Sequence, residues 1–204
     1  MASEVRARPP RHEVRDRVLE HAAAAFLRDG YAGVKVIDIA TAAGFTKGAV
    51  YSNFGGKPGL FSAVWSERFE AIAGFALGRS ALIRSGRPRD EILAEVAREL
   101  AVRLTEAPGW ATALGEFRLL AVRDPEVART YAELSARQLD GLAGQLREHG
   151  DAIGLPRDFD HAVAAYLILT AATGLALEHA AAPRVTDRGR IEHCLAELLI
   201  KVLR

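Results

Sequence analysis

Apolar residues recur every three or four positions along most of the chain, and the periodic stretches are separated by glycine and proline. From Glu13 the stripe Val14, Val18, Ala22, Ala25 and Phe26 predicts an amphipathic helix closed by Gly30. Val36, Ile39, Ala40 and Ala43 share one face of a second, short helix. Gly44 follows where that helix must stop with positive φ, which glycine takes without steric penalty. Thr46 then stands at an N-cap, and Ala49, Val50 and Phe54 can turn a third helix towards the second. Gly55-Gly56 make a turn, and Pro58 opens a helix with Phe61, Val64, Trp65 and Phe69 on its apolar side. Pro88, Pro108, Pro125, Pro156 and Pro183 divide the rest. Between them run three stripes: Ile92, Val96, Leu100 and Leu104; Trp110, Leu114, Phe117 and Ala121; and Val127, Tyr131, Leu134, Gln138 and Leu142, the last ending near Gly150. Asp158 to about Ala181 is apolar on nearly every side, and Ile191, Leu195, Leu198, Leu199 and Val202 stripe the final helix. No stretch alternates with period two, and no repeat is visible, so the expected fold is all-α.

The turn between the second and third helices is too short for anything but a crossed pair, with Ala40 at the crossing point. The surface left outside is Thr46, Lys47, Gly48, Tyr51, Ser52 and Asn53, side chains suited to phosphate and base-edge contacts. Charge follows the same division. Residues 1–68 hold ten Lys or Arg against seven acids, a balance of +3, which leaves −2 for the remainder of a chain whose net charge is +1. A modest basic bias at the end carrying the helix pair fits a polyanionic partner there.

Composition narrows the class. Of 204 residues half are apolar, enough for a buried core. One cysteine, Cys194, excludes an intrachain disulfide and fits a reducing, cytoplasmic setting; no signal peptide opens the chain. The longest uncharged run, Ala162 to Leu177, is sixteen residues, short of the ~20 that span a bilayer, and no membrane role is expected. A helix apolar all round needs cover all round, from a partner or at the centre of a monomeric bundle. The economical arrangement is a two-fold homodimer in which the last two helices pack against their copies through Tyr166, Leu169, Thr173, Leu177, Ile191, Leu195, Leu198, Leu199 and Val202.

Catalytic signatures are missing. There is no G-x-S-x-G, and the GGK at Gly55 lacks the upstream glycine of a phosphate loop. His161 and His179 sit on one helix but ~27 Å apart by rise, too far to share an ion. No enzyme activity, cofactor or metal is expected.

The stretch ending in Asp29-Gly30-Tyr31, followed by DIATAAGFTKGAVYSNFGGK and LFSAV, resembles the tetracycline-repressor (TetR) family of bacterial transcription regulators over roughly residues 13–69. The resemblance implies a disordered arm (1–11), a helix-turn-helix DNA-binding domain (12–56) and a C-terminal helical bundle for effector binding and dimerisation (57–204). By position it implies that Thr46, Lys47, Gly48, Tyr51 and Asn53 face DNA, with Ser52 beside them and Lys57 gripping a phosphate from the next helix. Lys35 stands where a hydroxyl residue commonly caps the helix, so a phosphate contact there would come from an ammonium group. The effector is expected in an apolar cavity, with Trp110, Phe117, Tyr131, Gln138, Tyr166 and Thr170 as candidates and Phe75 and His179 as outliers. The implied partners are palindromic operator DNA, a small-molecule effector that releases it, and a second copy of the chain. Two rivals stand beside this reading: an effector-independent DNA-binding repressor, and a helical dimer that binds or modifies a small molecule without DNA binding.

Overall fold

A computed structural model describes residues 11–78, 87–151 and 154–204; of the arm expected over 1–11, only Arg11 is among them, and it already belongs to the first helix. Nine helices make up the described residues. They are α1 (Arg11–Gly33), α2 (Val36–Ala42), α3 (Lys47–Phe54), α4 (Lys57–Gly78), α5 (Arg89–Thr105), α6 (Gly109–Ala121), α7 (Pro125–His149), α8 (His161–Ala181) and α9 (Arg188–Val202). Each break has a local cause. Gly30 (φ 70°) interrupts α1 within its last turns, Gly44 (φ 79°) ends α2, and Gly55 (φ 74°) caps α3. Asp124, Asp160 and Asp187 accept from the first free N–H groups of α7, α8 and α9.

Two apolar clusters organise the molecule. The first gathers Val18, Phe26, Tyr31, Ile39, Ala40, Val50, Leu60, Phe61, Trp110, Leu114, Phe117 and Leu134. It therefore continues past residue 56: α1 packs on α6, and the aromatic rings of Phe26, Tyr31, Phe61 and Phe117 lie 4.8–6.1 Å from one another where they touch. The second cluster joins α5, α7, α8 and α9 through Leu93, Val96, Leu100, Leu142, Leu146, Ile168, Ile191, Leu195 and Leu199. Helix α8 is long and apolar enough to cross a membrane by length and composition, yet Ala164, Ala165, Ile168 and Ala176 bury one of its faces in the body.

Candidate nucleic-acid interface and apolar cavity

The α2–α3 pair forms as its residue pattern requires. Val36, Ile39, Ala40, Ala43 and Val50 are buried, and Thr46 takes extended backbone angles while its Oγ1 accepts from Ala49 N at 3.2 Å. Lys35 precedes α2 in the N-cap position and makes no side-chain cap. Thr46, Lys47, Gly48, Tyr51 and Ser52 are exposed on the outer face, Tyr51 by 47%. The Lys47 ammonium stands 5.3 Å from the centre of the Tyr51 ring, so cation and phenol form one unit. Ser52 Oγ and Asn53 Nδ2 both donate to the Ala49 carbonyl, at 3.0 and 2.7 Å. Asn53 is half-buried, hence nearer the edge of this surface than its centre. Two exposed cations not foreseen from the sequence flank the pair. Arg15 lies over the Phe54 ring at 5.2 Å and Arg17 over Phe45 at 5.1 Å, both carried by α1. Their positions on a separate helix left no local signal that they would stand beside the pair.

Lys57 is placed less freely than the phosphate-gripping role supposes. Its Nζ donates to the Ala32 carbonyl (3.2 Å) and lies 4.6 Å from the Tyr31 ring centre. Burial lowers its pKa, and the nearby Glu116 carboxylate opposes that shift. Glu116 Oε2 in turn accepts from Ala32 N at 2.8 Å. A Cβ on Gly30 would come within 2.6 Å of that oxygen, so the carboxylate occupies space that only a glycine leaves open. Lysine has three donors, and the contact with Ala32 uses one.

Inside the body, α4, α5, α6, α7 and α8 enclose an apolar cavity of about 120 Å³. Its walls include Trp65, Phe69, Ile72, Leu100, Leu104, Trp110 and Ile168, with Arg68 the one ionisable residue and Thr173 a polar one. A smaller recess of about 90 Å³ shares Trp65, Phe69, Leu169 and Thr173 with it and brings together Tyr131, Gln138, Tyr166 and Thr170. There Arg118 Nε donates to the Tyr131 hydroxyl (2.9 Å) and Nη1 to Thr173 Oγ1 (3.2 Å), while the buried Gln138 Nε2 has no hydrogen-bond partner among the described residues.

Comparison with known proteins places this architecture. Residues 18–64 match the model for bacterial regulatory proteins of the tetR family, and residues 88–204 match the model for the C-terminal part of BetI-type transcriptional repressors. The chain belongs to the TetR family. A stretch of 102 residues is 30% identical to the HTH-type transcriptional repressor BdcR of Escherichia coli (strain K12) and spans half of each protein's length. The fold of this TetR-family regulator is shared with two structures at TM-score 0.68, TetR-family transcriptional regulators of Rhodococcus sp. (19% identity, 95% and 100% of the two chains covered) and Mesorhizobium loti (22%, 96% and 98%). A third, the regulator FadR of Bacillus subtilis in complex with stearoyl-CoA, matches at TM-score 0.62 (19%, 93% and 99%).

Packing places several of the expected dimer and effector residues of the TetR-family chain in the protomer's own interior. Ile191, Leu195 and Leu199 are 0%, 0% and 5% exposed because they fill the chain's own second cluster, where α9 lies along α5. A leucine stripe reports that a face is covered, not which helix covers it. Leu198 and Val202 are half-buried against the same cluster. Leu169 and Thr173 also turn inwards, to the cavity and to Arg118. Tyr166 and Leu177 stay exposed, and with Val163 and Leu167 they leave an apolar outer face on α8. Among the effector candidates, Trp110 lines the main cavity, but Phe117 is fully buried between the Tyr31 and Phe61 rings and lines neither space. His179 is engaged elsewhere, its Nδ1 2.8 Å from the Thr186 carbonyl oxygen. The side chain of Phe75 lies outside the described residues. Trp65, Arg68, Phe69 and Ile72 went unforeseen because the sequence marks α4 as amphipathic without indicating where its inner face meets a gap.

Proposed function

We propose that this TetR-family regulator acts as a homodimeric repressor that inserts the α3 tip of each protomer into successive major grooves of a palindromic operator and is released by a small-molecule effector. The observation that carries the reading is the solvent-facing set Thr46, Lys47, Gly48, Tyr51 and Ser52 on a helix whose opposite side is anchored by the buried Val50. A rigid, exposed helix N-terminus with free N–H groups and a cation beside it is chemically matched to a phosphate backbone and to base edges. Lys35, Asn53 and Lys57 extend the contact as flanking groups, Lys57 with the donors left over from Ala32. Half-sites would lie ~34–36 Å apart. The exposed α8 face supports pairing of two copies through Val163, Tyr166, Leu167 and Leu177, since such apolar surface on a soluble chain favours a partner. The apolar cavity supports an effector, as ligand binding by the fold relative FadR does, although about 120 Å³ is far less than a stearoyl chain fills. A bacterial cytoplasm is the setting in which such a regulator meets its operator.

The test is selection of bound fragments from the host genome, followed by titration of the selected site at several salt concentrations. Affinity should fall with a log–log slope of ~0.9 per phosphate contacted, and Lys47→Ala should flatten it by about one unit if its ammonium reaches a phosphate. A protein that retains no fragment at low salt does not act as this reading requires.

A further inference from the structure

The apolar cavity contains one charged group in an unusual position. Arg68 lies on the inner side of α4, its guanidinium 5.2 Å from the centre of the Trp110 ring, and its single hydrogen bond among the described residues is a long one, Nη2 to the Arg103 carbonyl at 3.4 Å. No carboxylate pairs with it among the described residues, and its nearest charged influence is the like charge of Arg103; burial and that repulsion together depress its pKa. Arg68 also borders a more polar recess of about 290 Å³, shared with Glu67, Arg103 and Glu106, so it stands between apolar interior and wetter rim. Both glutamates are exposed, and neither forms an ion pair with it among the described residues. A half-buried guanidinium with unused donors beside a hydrophobic space is a prepared carboxylate site, because its planar fork binds both oxygens and the gain is largest where water is scarce. The size of the space limits the rest of the ligand. At about 120 Å³ it is close to the ~150 Å³ apolar cavity that accepts benzene, and its aromatic walls suit a ring or short chain.

We propose that the effector cavity takes a small apolar carboxylate, an aromatic or short-chain acid, with the carboxylate bound by Arg68 and the hydrocarbon enclosed by Trp65, Phe69, Ile72, Leu104 and Trp110. This rests on the reading of the cavity as an effector site, and the experiment separates the two. The chain has two tryptophans, Trp65 and Trp110, and both line the cavity, so intrinsic fluorescence reports its occupancy directly. Phenylacetate and hexanoate are titrated into the full chain alongside their primary amides, which have nearly the same shape and no charge. Saturable changes are expected with the acids, with affinity about ten-fold or more above the amides. In Arg68→Met the preference for acid over amide should disappear, and Arg68→Lys should retain part of it. The amide comparison on the unmodified protein needs no folded variant, and circular dichroism checks that each variant folds. Equal binding of acid and amide, binding of none of the four probes, or a charge preference that survives in Arg68→Met overturns the assignment. Should the acids bind through Arg68 yet leave affinity for the selected DNA unchanged, the carboxylate site stands and the effector reading falls.

Discussion

Gly59 lies in the first turn of α4, against the end of α3, and a Cβ added there would fall well inside contact distance of the Phe54 carbonyl oxygen and 3.1 Å from its carbon. Both obstructing atoms are backbone, which cannot swing aside as a side chain does. Contacts near 3.5–4.0 Å are normal for carbon, so relieving the overlap with the carbonyl oxygen would make α3 draw back by more than ~1 Å. Overpacking against backbone falls at the upper end of the usual ~1–3 kcal/mol, and the helix-propensity gain of alanine over glycine offsets at most ~1 kcal/mol, which leaves about 2 kcal/mol. Gly74 is the internal control. It lies in the same helix, exposed, with nothing within 4 Å of an added Cβ, so the same substitution should stabilise by up to ~1 kcal/mol. For a chain of this length each kcal/mol shifts the melting temperature by about 2–4 °C. Followed by circular dichroism, Gly59→Ala should therefore melt about 4–8 °C below the parent and Gly74→Ala slightly above it. Gly59→Ala should also weaken DNA binding, because the contact that it opens is the one seating α3, the helix proposed to enter the groove, on α4. A Gly59→Ala protein that melts at or above the parent temperature would refute the close α3–α4 approach.

Other substitutions test other parts of the same structure. Thr46→Ala removes the acceptor for Ala49 N and should lower stability by about 1 kcal/mol, while Thr46→Asp keeps the cap yet repels phosphate; stability recovered without DNA affinity would separate the two roles of this residue. The Tyr31 hydroxyl is buried near Asp124 and Glu126, and desolvation first, then those charges, raise its pKa above the ordinary 10.0. The unfolded chain therefore releases this proton first, so stability present below about pH 10 is lost as pH climbs further, and Tyr31→Phe should remove that part of the alkaline loss in urea titrations. A Tyr31→Phe profile as steep as the parent's would discount the phenol as its source. Tyr166→Asp and Leu177→Asp should give a folded monomer by light scattering with much reduced operator affinity, whereas Ile191→Asp, a charge in the protomer's own core, should prevent folding.

Much of this was legible in the chain. The helices, the glycine stops and the Thr46 cap follow from local chemistry that acts over a few residues, and the periodicity of α1 to α9 marks the same elements that form. What is not local was read less well. The α9 stripe is the same whether a partner subunit or α5 covers it, and only tertiary packing assigns Ile191, Leu195 and Leu199 to the latter. Phe117 has the composition of a pocket aromatic but is consumed by tilted ring contacts with Tyr31 and Phe61, while Arg68, on a face otherwise apolar, reads as a surface cation until α5 and α6 close around it.

The reading unit and the body are joined by packing rather than by a free linker. Helix α6 contributes Trp110 to the cavity wall, Phe117 to the rings around Tyr31, Glu116 to the backbone at Ala32 and Arg118 to Thr173 on α8. The close seat of α6 against α1 is confirmed at Gly109, where a Cβ would overlap the Leu27 carbonyl. Interlocked aromatic cores are close-packed and do not deform continuously, so α1, α6 and the first turn of α4 respond to a load as one piece. A displacement of α6 at the Trp110 end would therefore be passed to the Tyr31 ring and the Ala32 backbone, both of which contact Lys57 at the start of α4. In the proposed dimer the distance between the two α3 tips would then depend on the same helix that closes the cavity, and a ligand would change it only to the extent that it binds one position of α6 more tightly than another.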